Sequence, residues 1–212
     1  MLGKKIKAVI FDMDGVLIDA KEWHYDALNK ALSTFGMLIS RHDHLTTYDG
    51  LSTSQKLKML SKVYTVPESL HSFINEMKQQ YTMDITHQKC KPVFHHQFAL
   101  SRLKEDGYKL AVASNSIRNT VSVMMHRSRL EEYLDFFLSN QDVKNAKPDP
   151  EIYNMAIHKL MLTPDECVIV EDNENGLKAA YSSGAHVLKV DSIHDVNYEN
   201  LTTFIKELER ES

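Results

Sequence analysis

The sequence predicts an α/β fold: a doubly wound parallel sheet with a helical segment inserted after its first strand. Three observations predict it. Short apolar runs at 7–11, 109–113 and 167–170 lack polar alternation, as strands covered on both faces do. Helical patterns separate the later runs, the alternation that builds a parallel sheet. Residues 20–86, in contrast, hold helical patterns with no convincing strand among them.

Each element follows from local pattern. The run at 7–11 is ended by the turn Asp12-Met13-Asp14-Gly15, and weaker strands of the same kind fall at 136–138 and 186–190. Between the strands, helices are predicted over 98–106, 119–133, 150–160 and 175–183. The third has Pro150 early, where a missing N–H is harmless, and Pro164 just past its end. In the inserted segment, 22–35, 52–64 and 67–81 read as amphipathic helices. An insertion at a strand C-terminus sits above the crevice where such sheets bind ligands, in position to act as a lid.

Composition narrows the function classes. The 212 residues carry a formal charge of −4 and 42% apolar residues, ordinary for a globular protein with a real core. Clustered Lys and Arg are absent, which argues against nucleic acid as a partner. Cys90 and Cys167 are far apart and form no CxxC pair, so two buried inert thiols are expected. Apolar runs fall far below the ~20 residues that span a bilayer. Residues 1–7 lead straight into the first strand rather than into a signal-peptide h-region, so a cytoplasmic location is expected. No apolar heptad demands a partner chain, and a monomer is expected.

Four groups of chemically capable residues fall at predicted strand ends. Asp12 and Asp14 place two carboxylates in one small space, which suits a metal, a nucleophile with an acid partner, or both, although Asp-x-Asp also occurs in plain solvated loops. Ser114-Asn115-Ser116 supplies a hydroxyl and backbone amides, either an anion cradle or an ordinary helix cap. Lys147, held by Pro148, offers one placed ammonium. Glu171 and Asp172 are hard oxygen donors for Mg²⁺, or caps for the next helix. Gathered around one crevice, the four supply what phosphoryl transfer requires: a nucleophile, charge neutralisation and in-line positioning.

Asp12-Met13-Asp14-Gly15, Ser114-Asn115-Ser116, Lys147-Pro148 and Glu171-Asp172-Asn173 resemble, in order and spacing, the four motifs of the haloacid dehalogenase superfamily, and the match covers nearly the whole chain. The helical insertion resembles the four-helix cap of the subgroup containing beta-phosphoglucomutase and small sugar-phosphate phosphatases. The resemblance implies a Rossmann-like core (1–19 and 87–212), a mobile helical cap (20–86) and a Mg²⁺-dependent site. Carried over by position, Asp12 is the nucleophile that becomes an aspartyl phosphate, and Asp14 is the general acid and base. Ser114 and the Asn115 amide hold phosphate oxygens, and Lys147 neutralises the nucleophile and the transferring group. Asp172, with Glu171, holds the metal together with Asp12 and the Asp14 carbonyl. True dehalogenases typically lack the second aspartate, so Asp14 favours phosphate esters.

The inserted segment bears on substrate. Glu22-Trp23-His24 is similar to a hinge segment of beta-phosphoglucomutase-like proteins, whose histidine touches the acid and base residue. Asp49-Gly50-Leu51-Ser52-Thr53 stands where such mutases carry a Lys-Gly-Val-Ser-Arg-like loop, and both cationic ends are missing. A mutase must grip a second phosphate, so hydrolysis of a small phosphorylated metabolite, a sugar or polyol phosphate, leads, and a phosphosugar mutase is the alternative. His24, Asp49, Ser52 and Thr53 are the candidate substrate contacts. The other histidines, including His42, His44, His95 and His96, lack metal-ligand spacing and are expected to be structural or solvated. A receiver domain fits poorly because its acceptor belongs on a middle strand. A catalytically idle phosphate-binding relative need not keep Asp12, Asp14, Lys147 and Asp172 together.

Overall fold

A computed structural model describes residues 5–64 and 66–211. Strands β1 (Ala8–Phe11), β2 (Lys109–Ala113), β3 (Phe136–Leu138), β4 (Cys167–Glu171) and β5 (His186–Lys189) form one sheet in the order β3-β2-β1-β4-β5, every neighbouring pair parallel. The predicted fold class is present, and each predicted strand is found to within about a residue.

The strands read as unbroken apolar runs because both faces are covered. Val9, Phe11, Val112, Val168 and Val170 point into one layer, with Leu100, Met124 and Leu201; Ala8, Ile10, Ala111 and Ile169 point into the other, with Ile152, Tyr153 and Ala179. The first layer is built by α5 (Phe94–Glu105), α6 (Arg118–Arg127) and α9 (Tyr198–Glu211); the second by α7 (Glu151–Lys159) and α8 (Glu174–Ser182). β1 lies between β2 and β4, where the winding reverses, and the chain ends of β1 and β4 frame the crevice that this topology opens to a ligand. Cys90 and Cys167 are buried, and burial pushes their thiols up to about 11 and about 12, so both are inert at neutral pH as expected.

Between β1 and α5 the chain is helical: α1 (Lys21–Ser33), a short α2 (Arg41–Asp43) running into a π-helical turn (His44–Tyr48), α3 (Thr53–Tyr64) and α4 (His71–Lys89). These helices have a core of their own, with Leu28, Leu32, Ile39, Leu57, Leu60 and Ile74 among its buried residues. α1 packs along α4, and α4 also touches α6.

Element ends differ from the sequence expectation for physical reasons. α4 runs to Lys89, past the predicted end at 81, because its later buried face is made of Thr82 and Thr86, which show no apolar period. The helix expected over 119–133 stops at Arg127. There the Ser128 hydroxyl donates to the Met124 carbonyl at 2.8 Å, and Arg129 turns left-handed with φ 56°. α5 starts at Phe94 rather than 98, and α9 has no counterpart among the expected elements.

Candidate active site

The predicted residues converge. Asp12, Asp14, His24, Asp49, Ser52, Thr53, Ser114, Asn115, Lys147 and Glu171 line one cleft of about 170 Å³, room for a small metabolite. Asp172 stands beside it, with a carboxylate oxygen within 4.8 Å of those of Asp12 and Glu171.

β1 delivers Asp12, whose N–H donates to the Val170 carbonyl at 2.9 Å, tying the first loop to β4. Gly15 follows at φ +94°, and a Cβ there would run into the Asp172 carboxylate and Lys21. Gly176 is equally constrained, because a Cβ would collide with the Glu171 carboxylate. The glycines behind both acidic motifs therefore let the carboxylates approach.

Lys147 is the hub of the inner end. Its Nζ donates to Asp12 Oδ1 at 2.6 Å, to the Tyr153 hydroxyl at 2.7 Å and to Glu171 Oε2 at 2.8 Å. Tyr153 in turn donates to Glu171 Oε2 at 2.6 Å, and Glu171 Oε1 accepts from the Asp172 and Asn173 amides. Burial works against the Lys147 ammonium, but Asp12 and Glu171 outweigh it and hold the lysine above its ordinary value. Burial and the Glu171 charge push Asp12 well above the usual carboxylate range, with Lys147 opposing. Three acids thus crowd two ammonium groups, Lys147 and Lys21, whose Nζ lies 2.6 Å from Asp172 Oδ2.

The crowding fits a divalent cation. Asp12, Glu171 and Asp172 offer hard oxygen donors, and the buried Asp172 Oδ1 has no hydrogen-bond partner among the described residues. Burial lifts Asp172 to about 6 even against Lys21, as a carboxylate does when its charge is under-compensated.

Asp14 is held differently. Its Oδ2 accepts from the Ser116 hydroxyl at 3.0 Å, and its Oδ1 lies 3.1 Å from His24 Nε2. Burial raises the Asp14 pKa, but His24 and Ser116 outweigh it and the net shift is downward. His24 Nδ1 lies 3.1 Å from the Lys78 ammonium. Burial and Lys78 lower the His24 pKa, which leaves its imidazole neutral at neutral pH.

The second motif is anchored by Asn115. Its amide nitrogen donates to the Gly50 carbonyl at 2.9 Å, and its Oδ1 accepts from the Lys147 N–H at 3.0 Å. Ser114 is buried, and its hydroxyl accepts from the Ser116 N–H at 3.0 Å. In the helical layer, Asp49 accepts from Asn173 Nδ2 at 2.7 Å, while the Ser52 N–H and hydroxyl both donate to Gln55 Oε1 at 2.9 Å to start α3. Asp49 and Ser52 thus latch and shape the loop facing the cleft.

Sequence reasoning missed Lys21, His44, Lys56, Lys78 and Tyr153. A lysine on an amphipathic helix reads as solvent-facing, yet Lys56 and Lys78 are each only 7% exposed and line the cleft, as does His44. Tyr153 has the spacing of a core residue, and its ring is one; its hydroxyl alone reaches the charged hub.

A parallel sheet whose strand ends gather an acid pair, a hydroxyl, a lysine and further carboxylates defines a phosphoryl-transfer type of α/β enzyme. Residues 9–190 match the family model of the haloacid dehalogenase-like hydrolases, and the chain belongs to that family. Among curated proteins it is similar to a phosphorylated carbohydrates phosphatase of Thermotoga maritima, 31% identical over 84% of this chain and 82% of that protein. It is also similar to pyrophosphatase PpaX of Bacillus cereus, 26% identical over 88% and 83%. A solved beta-phosphoglucomutase from Clostridium difficile superposes with a TM-score of 0.83 at 25% identity, covering 97% of this chain and 98% of that one. CbbY from Rhodobacter sphaeroides, in complex with phosphate, shares the fold at a TM-score of 0.75 and 23% identity, covering 86% and 84%. Among the described residues no helix is long and apolar enough to cross a membrane.

Proposed function

We propose that the protein is a Mg²⁺-dependent phosphatase of a small phosphorylated metabolite, a sugar or polyol phosphate, acting through an aspartyl phosphate on Asp12. The observation that carries this reading is the Lys147 hub. An ammonium 2.6 Å from Asp12 Oδ1 fixes that carboxylate at the mouth of the crevice and supplies positive charge where a phosphoryl group would arrive. Asp12, Asp172 and the Asp14 carbonyl would hold the ion. When bound, it offsets the repulsion between carboxylate and phosphate. Glu171 adds charge to that cluster, but both its oxygens are engaged, Oε2 by Lys147 and Tyr153 and Oε1 by two amides, so its main work is to aim Lys147.

Asp12 attacks phosphorus, and the ester oxygen leaves with the proton of Asp14. Ionised Asp14 then takes a proton from water as that water attacks the aspartyl phosphate, and Asp12 is released with inorganic phosphate. Asp14 rests ionised beside His24 and Ser116, and the approaching phosphate dianion raises the cost of that charge, loading the proton it must give. Ser114 and the Asn115 amide hold the phosphate oxygens. The helical layer, 20–86, serves as a cap over the core of 1–19 and 87–212. In this arrangement the cap is latched down through Asp49 to Asn173 and Gly50 to Asn115.

A mutase is the second reading, favoured by Lys56 and Lys78, which restore cations to a cleft wall where the 49–53 loop has none. One experiment separates the two: a phosphosugar panel with and without Mg²⁺, scored for free phosphate against isomer. Phosphate release that depends on Mg²⁺ is the expected result. Isomer without appreciable phosphate reverses the order of the two readings.

A further inference from the structure

The cleft has two ends of opposite character. At the inner end, Lys147 is paired with Asp12 and Glu171. At the outer end, on the wall made by α3, α4 and the turn before them, buried basic groups lack such partners. Lys56 is 7% exposed and lines the cleft, and its ammonium makes no hydrogen bond or ion pair among the described residues. The Lys78 ammonium, equally buried, meets the imidazole of His24 but no carboxylate within ion-pair distance among the described residues. His44 is 2% exposed, and neither ring nitrogen has a partner among the described residues.

Buried lysines without acidic partners are rare because each lost hydration shell must be replaced. The nearby carboxylates replace it only in part. Asp49 is engaged by Asn173, and Asp14 by Ser116 and His24. The strain shows in both ammonium groups: burial pushes Lys56 down to about 8, and burial together with Lys56 pushes Lys78 down to about 7. Two basic groups in a wall that faces a ligand cleft, with no carboxylate in ion-pair contact and only partly balanced by Asp14 and Asp49, suit a negative charge brought by the ligand.

We infer that Lys56, with Lys78 and His44 beside it, forms a subsite for a second acidic group on the leaving-group side of the substrate, a carboxylate or a second phosphate. The inference rests on the phosphoryl-transfer reading and narrows its substrate class from neutral polyol phosphates to phosphorylated acids or bisphosphates. Asn75 and Gln79, which line the same wall from α4, are neutral and suit the hydroxyls between the two charged ends.

The test uses one three-carbon skeleton with three ends: glycerol 3-phosphate, 3-phosphoglycerate and propane-1,3-diol bisphosphate, with para-nitrophenyl phosphate as a tail-less reference. The account expects kcat/KM at least about tenfold higher for one acidic-ended compound than for glycerol 3-phosphate. That ratio should collapse in Lys56→Gln and survive in Lys56→Arg. The carboxylate and phosphate arms tell which acid the subsite takes. Equal kcat/KM for all three ends, or a ratio unchanged in Lys56→Gln, overturns the subsite. Calorimetric binding of the same compounds to Asp12→Asn protein reads the subsite without turnover. Tighter binding of an acidic-ended compound that is lost on adding Lys56→Gln supports it, and equal affinities overturn it. If binding discriminates but no phosphate is released from any compound, para-nitrophenyl phosphate included, the phosphatase reading alone falls.

Discussion

The strand-end loops and the helical wall face each other across one cleft, yet they treat charge in opposite ways. In the loops the charged groups each have a fixed partner, Lys147 with Asp12 and Glu171, Asp172 Oδ2 with Lys21 and Asp14 with Ser116, although Asp172 Oδ1 is left without one among the described residues. On the wall, the Lys56 ammonium and the His44 ring nitrogens have no hydrogen-bond or ion-pair partner among the described residues. A site that does the same chemistry on every substrate gains from groups fixed before the substrate arrives. A surface that chooses among substrates gains from groups that only the right ligand satisfies. On the proposed reading, the difference separates reaction from selection within one pocket.

Substitutions can break this division, and the largest effect belongs to the loops. Asp12→Asn keeps shape and removes the proposed nucleophile, so turnover should fall by about 10⁴-fold or more while circular dichroism stays native. Retained turnover would take Asp12 out of that role. Asp14→Asn should lower kcat by about 10²- to 10⁴-fold and leave substrate binding by calorimetry nearly unchanged. A loss confined to KM would make Asp14 a binding residue instead.

The wall predicts a pH dependence that the loops do not. Asp14, His24, His44, Asp49 and Lys78 share the cleft with Lys56, and burial, only partly opposed by Asp49 and Asp14, sets its pKa at about 8. Below that value the ammonium is present, and as pH rises through it the charge is lost. The kcat/KM advantage of an acidic-ended substrate, which reports the free enzyme, should accordingly fade as pH climbs from 7 to 9. An advantage constant over that range would assign the selection to a group other than Lys56. The smallest effect sharpens the boundary from the core side. Tyr153→Phe removes one buried hydroxyl while keeping the ring, and should cost about 1 kcal/mol in denaturant unfolding, with a modest fall in kcat as Lys147 loosens.

What could be read in advance follows the same boundary. Asp12, Ser114 and Glu171 were legible because each ends or directly follows an apolar run, and Lys147 because it lies in the loop after β3, so the topology gathers them at the C-terminal side of one sheet. The wall was not legible. Whether Lys56 or Lys78 on an amphipathic helix faces water or a neighbouring domain depends on tertiary packing, which periodicity does not encode. His44 sits in a π-helical turn whose odd spacing hides its inward face. Tyr153 was hidden because one residue serves the core with its ring and the site with its hydroxyl. α9 is the opposite case: Leu201, Phe204, Ile205 and Leu208 have plain helical spacing and pack on the sheet, so this helix is legible from periodicity alone.

The central claim, that Asp12 accepts the phosphoryl group, is tested most directly by acid-quenching the enzyme during turnover with Mg²⁺ and mapping the adduct by peptide mass spectrometry. The account predicts one phosphoryl group on the peptide containing Asp12, absent from the Asp12→Asn protein. An adduct on any other residue, or undiminished turnover by Asp12→Asn, would contradict it.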